Sequence, residues 1–135
     1  MVVPGRYVPP SPGLAELDAR WARFCRDHPG AYDGLCYHVL GVHRNGHGGA
    51  SIHVMECSYR FHAVQDDTCD TGMRGLGVKG VARRDGRVLM GRRSSRVNHA
   101  KGLWEFAPGG AVEPGQSARD AIVRELGEET GLTPA

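Results

Sequence analysis

The stretch of the chain that decides the fold is residues 110–132, which read GAVEPGQSARDAIVRELGEETGL. Ser117 can cap a helix, and Asp120, three residues later, forms a weaker version of the capping box. Gly131 suits the left-handed position that ends a helix, and Pro134 prevents the helix from continuing. We therefore predict a helix that begins after Ser117 and ends at Gly131. The ridge that we expect to pack on a sheet consists of Ala118, Ile122 and Leu126.

Three carboxylates lie close together on that predicted helix. At about 100° per residue, Glu125, Glu128 and Glu129 fall within roughly a third of the helix circumference. Their mutual repulsion near the negative end of the helix dipole is unfavourable unless a cation lies between them. Hard oxygen ligands that leave room for water and phosphate are typical of a magnesium site. The alternative is a solvated acidic face, which a bare E-x-x-E-E pattern usually indicates.

The whole stretch resembles the Nudix box, G-x5-E-x7-R-E-U-x-E-E-x-G-U, where U is apolar, and every fixed position but one fits. The resemblance implies an α/β fold, an α/β/α sandwich. It also implies a hydrolase, with Mg2+ or Mn2+ as cofactor, that cuts a nucleoside diphosphate linked to another group. Carried over by position, Glu125, Glu128 and Glu129 would bind the metal with the backbone carbonyl of Gly110. Arg124 would orient a box carboxylate, and an acidic residue would activate water.

Two departures from the pattern affect this interpretation. Gln116 stands where the box has its first glutamate, so its hydrogen bond to Arg124 would lack charge assistance. We interpret this as a tuned or weakened site. Only residues 133–135 follow the box, and we therefore expect the C-terminal half of the domain to be missing. The chain would then be a fragment, a truncated reading frame or a half that needs a partner.

Three functions stay open at this point. The first is a Nudix pyrophosphohydrolase that cuts a phosphoanhydride bond. The second is a nucleotide-binding module of the same fold with little or no turnover, which Gln116 would explain. The third is a non-functional truncated fragment, because the apolar side of the last helix would lack part of its cover.

Residues 73–135, which include the box, are expected to form the N-terminal half of the Nudix domain. Two strands, 78–83 and 88–92, flank Asp85-Gly86, a dipeptide that favours a two-residue hairpin turn. A polar loop is predicted at 94–102 and a short strand at 103–106. Arg92 and Arg93 are candidate contacts for substrate phosphate. The wider basic cluster that could form an anion site consists of Arg83, Arg84, Arg87, Arg92, Arg93 and Arg96.

The preceding residues divide into a flexible arm at 1–10 and a pre-Nudix region at 11–72. Ser11-Pro12 predicts a helix start, and an apolar stripe continues from there to a stop at residues 28–30. Strands at 37–42 and 51–61 flank a glycine-rich hairpin turn, followed by a loop at 66–72. The stripe consists of Leu14, Leu17, Trp21 and Phe24. The residues that are similar to UDP-sugar diphosphatases of the superfamily are Trp21, Pro29, 32–34 and 58–60.

The composition of the chain limits the classes of binding partner and the location that we expect. The net charge of +2 is too small to predict a nucleic-acid partner. The resemblance to the Nudix box implies a small nucleoside diphosphate derivative as the partner. No stretch approaches the roughly 18 apolar residues of a membrane span, and no signal peptide is recognised, which makes the cytoplasm the expected location. The four cysteines lack a C-x-x-C pair, and we expect packed or surface thiols; a disulfide or zinc framework is the less favoured alternative.

Overall fold

The computed structural model describes residues 1–95, 97 and 100–134. The chain forms two compact units, Met1–Leu76 and Gly77–Ala135. The first unit extends past the predicted boundary at residue 72 because residues 74–76 pair with its sheet. The backbone N–H of Val39 donates to the Arg74 carbonyl at 2.7 Å, and that of Leu76 donates to the Tyr37 carbonyl at 3.0 Å.

The first unit is built on a three-stranded sheet with the order β1-β3-β2. Strands β2 (Leu35–Arg44) and β3 (Ala50–Ser58) form an antiparallel hairpin, which confirms the predicted turn. The carboxamide oxygen of Asn45 accepts hydrogen bonds from the backbone N–H groups of His47 and Gly49. These bonds satisfy the turn locally, as expected for an Asn-Gly sequence.

The N-terminal residues correct the sequence prediction of a flexible arm at 1–10. Strand β1 (Val2–Tyr7) pairs in parallel with β3. Its register shifts between Val2 and Arg6, the interval that holds Pro4 and Gly5. Proline is tolerated at an edge strand next to a bulge because no ladder hydrogen bond is needed there. The β-branched and aromatic residues at the two ends of the segment therefore pair despite the proline.

Helix α1 (Leu14–Asp27) confirms the predicted helix but corrects its start, and Leu14 of the predicted stripe is 49% exposed. Its N-cap is Gly13, and no side chain caps it, so Ser11 does not serve as the cap. Leu17, a residue of this helix, is fully buried. The helix ends at His28, as the sequence predicted, and the His28 backbone N–H donates to the Phe24 carbonyl.

A short helix replaces the end of the predicted strand 51–61. Helix α2 (Arg60–Ala63) follows β3 directly. The carboxylate of Asp33 accepts hydrogen bonds from the hydroxyl of Ser58 at 2.5 Å and from the backbone N–H of Arg60 at 2.9 Å. An acceptor at the first turn satisfies a backbone donor that a helix leaves free. The acceptor is distant in sequence, so no local pattern predicted the helix.

The core of the first unit lies between the sheet and the two helices. Three of the four cysteines, Cys36, Cys57 and Cys69, are buried, and Cys25 is partly buried. Tyr7 and Trp21 pack against this cluster from its edge. The buried cluster consists of Leu17, Cys36, Cys57, Phe61, Val64, Cys69 and Met73.

The stability of the first unit is expected to fall when the pH drops below about 6.5. His38 is 7% exposed, and its ring stacks on Tyr7 with 3.9 Å between ring centroids. Its Nδ1 accepts a hydrogen bond from the Arg74 backbone N–H. Burial, and next the charge of Arg74, lower the pKa of His38. Between the folded and the unfolded pKa the unfolded chain binds more protons, so stability rises with pH in that window.

Urea unfolding between pH 5 and pH 8 tests this prediction. A His38→Gln variant is expected to lose much of the pH dependence, because glutamine offers an acceptor but binds no proton. His47→Gln, at the exposed hairpin turn, serves as the matched control and should retain the wild-type profile. An unchanged profile in the His38 variant would contradict the assignment.

The second unit carries three two-stranded ladders and one helix among its described residues. Strand β5 (Arg83–Arg84) pairs with β6 (Arg87–Val88) across Asp85-Gly86, and both turn residues have positive φ. This confirms the predicted hairpin turn. The predicted strand 78–83 is interrupted, since β4 (Gly77–Lys79) ends before the hairpin and pairs elsewhere. The other pairs are β4 with β9 (Gly109–Ala111) and β7 (Met90–Arg92) with β8 (Trp104–Phe106).

Helix α3 (Ala118–Thr130) packs against β9 and β4. Its fully buried residue is Ala121, and Ile122 lies close to Gly80. Ala118 is exposed, so the packing ridge is rotated from the predicted one. The mixture of helix and strand confirms the predicted α/β class. The predicted loop 94–102 lies partly outside the described residues.

A search of the helices in the described part of the chain finds none with the length and apolar character of a membrane span.

Candidate functional site

Both ends of α3 form as the sequence predicted. The Ser117 hydroxyl accepts a hydrogen bond from the Asp120 backbone N–H at 3.1 Å. Gly131 adopts the left-handed conformation, with φ 68°, and its N–H donates to the Gly127 carbonyl at 2.9 Å. The two caps fix the length of the helix. They also fix which residues of its last two turns face β9.

Glu125 lies directly against Gly110 of β9. Its side chain is 14% exposed. A Cβ atom built on Gly110 would overlap the Glu125 carboxylate, so only glycine fits this position without displacing the carboxylate. Burial raises the pKa of Glu125, and the charges of Glu128 and Glu129 raise it further, whereas Arg124 opposes the shift. The three carboxylates therefore lie near enough to repel one another.

Arg124 connects two of these carboxylates. Its guanidinium lies 2.9 Å from Oε1 of Glu125 and donates to Oε2 of Glu128 at 2.9 Å. It also lies 3.6 Å from Glu113 and 3.4 Å from the Ala111 carbonyl oxygen. The arginine is placed where the resemblance implied, beside box carboxylates. Its role in orienting them stays a prediction.

Glu129 has a different partner. Its Oε2 accepts a hydrogen bond from the Gly109 backbone N–H at 3.3 Å. Glu125 and Glu128 share Arg124, so the three carboxylates are neighbours with separate partners. Among the residues that the structure describes, no three histidine, cysteine, aspartate or glutamate side chains converge on one point that could hold a metal ion. The predicted ligand set is thus gathered into one region but not arranged around a single centre.

The expected hydrogen bond between Arg124 and Gln116 is absent within the described part of the chain. Oε1 of Gln116 and Nε of Arg124 are both buried without a hydrogen-bond partner. The guanidinium is turned toward carboxylates instead. Charge-assisted bonds are stronger than a bond to a neutral amide, which explains the choice of partner.

A cavity of about 430 Å3 lies beside the C-terminal half of α3. Arg92 and Arg93 of its lining are the two candidate phosphate contacts from the sequence, and Glu129 lines it as well. Arg92 donates to the Gly102 carbonyl at 3.1 Å, and Arg93 donates to Glu105 at 2.9 Å. The apolar part of the lining includes Leu89, Met90 and Phe106. The cavity falls within the size range of small-molecule sites.

The structure divides the predicted basic cluster. Arg83, Arg84 and Arg87 line a separate groove next to the β5–β6 hairpin. Only Arg92 and Arg93 line the cavity beside Glu129, and Arg96 lies outside the described residues. The described arginines of the cluster therefore line two different cavities, and a single anion site built from all six stays a prediction.

Sequence reasoning missed one ionic network beside the cavity. Lys79 of β4 donates to Glu105 of β8 at 2.6 Å, and Arg93 donates to the other carboxylate oxygen. The hydrogen bond from Lys79, together with that from Arg93, lowers the pKa of Glu105. The three residues belong to separate segments, so their spacing carries no periodic signal. The network brings Lys79 and Arg93 together on the Glu105 carboxylate, which lines the cavity.

Comparison with known proteins identifies the second unit. Residues 73–135 match the NUDIX domain family. This segment therefore belongs to the Nudix superfamily, which confirms the resemblance found in residues 110–132.

Several curated relatives are similar to part of the chain. The chain is 51% identical over 55 residues to the CTP pyrophosphohydrolase of Escherichia coli (strain K12), which covers 41% of this chain and 39% of that protein. It is 41% identical over 59 residues to the ADP-ribose pyrophosphatase of Methanocaldococcus jannaschii, covering 44% and 33%. It is 44% identical over 52 residues to the RNA pyrophosphohydrolase of Sphingopyxis alaskensis, covering 38% and 30%. The chain thus spans well under half the length of these relatives.

Proposed function

We propose that the protein hydrolyses a phosphoanhydride bond in a nucleoside diphosphate linked to another group, with Mg2+ as cofactor and Mn2+ as a substitute. The observation that carries this proposal is the packing of the Glu125 carboxylate on Gly110, with Glu128 and Glu129 close enough to raise its pKa. Such a group of acids is costly unless a cation offsets the repulsion. The relatives whose names describe pyrophosphate hydrolysis support the same reaction class.

The donor set fits a hard divalent ion. The oxygens of Glu125, Glu128 and Glu129, with the Gly110 carbonyl, are the ligand type that Mg2+ prefers. The ion pair between Arg124 and Glu128 is the contact that must open, and the Glu128 side chain is 59% exposed. Exposed pairs four residues apart on a helix contribute only about 0.3–0.5 kcal/mol, so a divalent ion can compete for Glu128. When bound, the ion would neutralise phosphate charge and lower the pKa of water.

The substrate phosphates are proposed to lie in the cavity between α3 and strands β7 and β8. Arg92 and Arg93 offer guanidinium groups that match phosphate oxygens. Glu129 lines the same cavity without an ion pair to Arg124, so it is the glutamate best placed to take a proton from the attacking water. Arg124 positions Glu125 through the ion pair between them.

The nature of the linked group is a finer proposal. The curated relatives are named for CTP, ADP-ribose and RNA, so they do not select one substrate. A UDP-sugar is proposed from the residues that resemble UDP-sugar diphosphatases. In the first unit Asp33, Ser58 and Arg60 form one hydrogen-bonded network. This network gives the three residues a role in stabilising the fold that does not depend on a UDP-sugar. A direct assay of several substrates therefore decides the substrate class.

Chromatographic analysis of the products formed from CTP, ADP-ribose, UDP-glucose and 5′-triphosphorylated RNA tests the proposal, since cleavage yields a nucleoside monophosphate with pyrophosphate or a sugar phosphate. Each substrate is offered with Mg2+, with Mn2+ and with a chelator. We expect turnover of at least one nucleotide that requires the metal and is lost with the chelator. Tight nucleotide binding without turnover would instead support a binding module, which the unpaired Gln116 and Arg124 atoms favour. The absence of a cooperative thermal transition would support the non-functional fragment.

Arg124→Lys is expected to weaken Mn2+ binding by about 10–100-fold, the usual effect of losing a group that orients metal ligands. Lysine keeps the charge but cannot hold the Glu125 carboxylate in the geometry of a guanidinium. Arg119→Lys, on the exposed side of the same helix, is the matched control and should bind Mn2+ as the wild type does. Equal Mn2+ affinity in both variants would contradict the positioning role of Arg124.

A further inference from the structure

Two thiols in the core of the first unit lie opposite each other on adjacent strands. Cys36 of β2 and Cys57 of β3 are register partners in the antiparallel ladder. Their sulfur atoms are 3.4 Å apart, and the two residues are 21 positions apart in sequence. Cys36 is 8% exposed and Cys57 is fully buried. Neither residue belongs to the Nudix segment, so the proposed hydrolysis does not account for the pair.

The backbone at this position suits a disulfide. Residues directly opposed in an antiparallel ladder have Cα atoms about 4.5–5.5 Å apart, and a disulfide needs about 4.4–6.8 Å. The sulfur atoms must approach from contact distance to about 2.05 Å. A small rotation of the two side chains supplies that movement, without a change of strand register. The pair is thus preorganised for closure.

We propose that Cys36 and Cys57 form a reversible disulfide when the protein meets a low-molecular-weight disulfide such as oxidised glutathione. The Cys36 thiolate attacks one glutathione sulfur, the glutathione S–S bond breaks, and one glutathione leaves. The sulfur of Cys57, having given up its proton, then attacks the Cys36 sulfur and displaces the second glutathione. The two protein thiols lose two electrons and two protons in total, and the oxidant becomes two thiols.

The two cysteines have different roles in this exchange. Residue Cys36 is 8% exposed whereas Cys57 is fully buried, so we expect the oxidant to reach the Cys36 sulfur first. The contact between the two thiols lowers the pKa of Cys36 and raises the pKa of Cys57. The thiolate is the attacking form in thiol–disulfide exchange. Cys36 is therefore the attacking residue and Cys57 the resolving residue.

Closure would join β2 to β3 inside the core. A disulfide restricts the unfolded chain, and the expected effect is a rise in Tm of about 10 °C for a unit of this size. The sheet already holds the two residues in register, so little native strain is expected to oppose that gain. The first unit would then be more stable under oxidising conditions than under reducing ones.

The experiment incubates the folded chain with graded ratios of oxidised to reduced glutathione and measures intact mass, the linked peptides and Tm. A Cys25→Ser background removes the partly exposed thiol. We expect loss of two hydrogen atoms in mass, a peptide link between Cys36 and Cys57, and a higher Tm. Cys57→Ser should instead accumulate a glutathione adduct at Cys36.

The wild-type measurement decides the proposal even where a variant fails to fold. Thiols at Cys36 and Cys57 that stay reduced at every ratio that oxidises free cysteine in the same buffer would overturn it. A disulfide that forms only with Cys69, or only after unfolding in urea, would also overturn it. Reversal of both the mass change and the Tm change by dithiothreitol would support it.

Discussion

Replacing Gly110 with alanine is expected to lower the rate of metal-dependent turnover on the order of 10²-fold, the cost of misplacing a reacting group by about 1 Å. The added methyl group would occupy the position of the Glu125 carboxylate. That carboxylate is 14% exposed and bound to Arg124, so it has little free space into which it can move. The displacement should appear as lost activity and weaker Mn2+ binding, measured by turnover assay and calorimetry.

The same helix offers a matched control. A Cβ atom at Gly127 meets nothing within 4 Å, so Gly127→Ala adds a methyl group to open space. Alanine in place of glycine inside a helix should raise the free energy of unfolding by about 0.5–1 kcal/mol. Turnover should be unchanged in this variant. Equal activity in the Gly110 and Gly127 variants would contradict the tight packing of Glu125 on β9.

Glu128→Gln is expected to reduce turnover on the order of 10³-fold, because losing a metal ligand costs several kcal/mol of transition-state stabilisation. The side chain is 59% exposed and ends in an ion pair with Arg124, so the substitution should leave Tm nearly unchanged. This separation of activity from stability makes Glu128 the most informative of the three carboxylates. Turnover with Mg2+ and thermal unfolding are measured on the same preparation.

Glu113→Gln controls for the loss of one charge beside Arg124. Glu113 lies 3.6 Å from the same guanidinium but is outside the predicted ligand set. We expect its turnover to stay within about twofold of the wild type, since exposed ion pairs contribute little. A comparable loss in both variants would indicate that the arginine's charge balance, and not a metal ligand at position 128, controls activity.

The elements that could be predicted are those whose signals are local. The caps at Ser117 and Gly131 and the turn at Asp85-Gly86 depend on residues within a few positions of one another, and all three formed as expected. The Nudix box at residues 110–132 could be recognised from the types and spacing of its residues, and the match of residues 73–135 to the NUDIX domain confirms it. Local chemistry carries such features because the chain satisfies them without distant partners.

The features that could not be predicted depend on distant partners. Strand β1 forms because β3 offers it a ladder, and α2 begins where Asp33 supplies an acceptor. The network of Lys79 and Glu105 joins two ladders that only the fold brings together. The arrangement of the carboxylates also escaped prediction. Helical periodicity places them on one side, but the contacts of Arg124 and Gly109 decide where each one points.

The account rests on a divalent ion binding among the carboxylates of Glu125, Glu128 and Glu129. Isothermal titration of the folded chain with MnCl2, beside Glu128→Gln and Glu113→Gln, tests this most directly. We predict saturable Mn2+ uptake in the wild type and in the Glu113 variant, and a marked loss in the Glu128 variant. A cooperatively folded wild-type chain that takes up no Mn2+ or Mg2+, with or without nucleotide, would contradict the account.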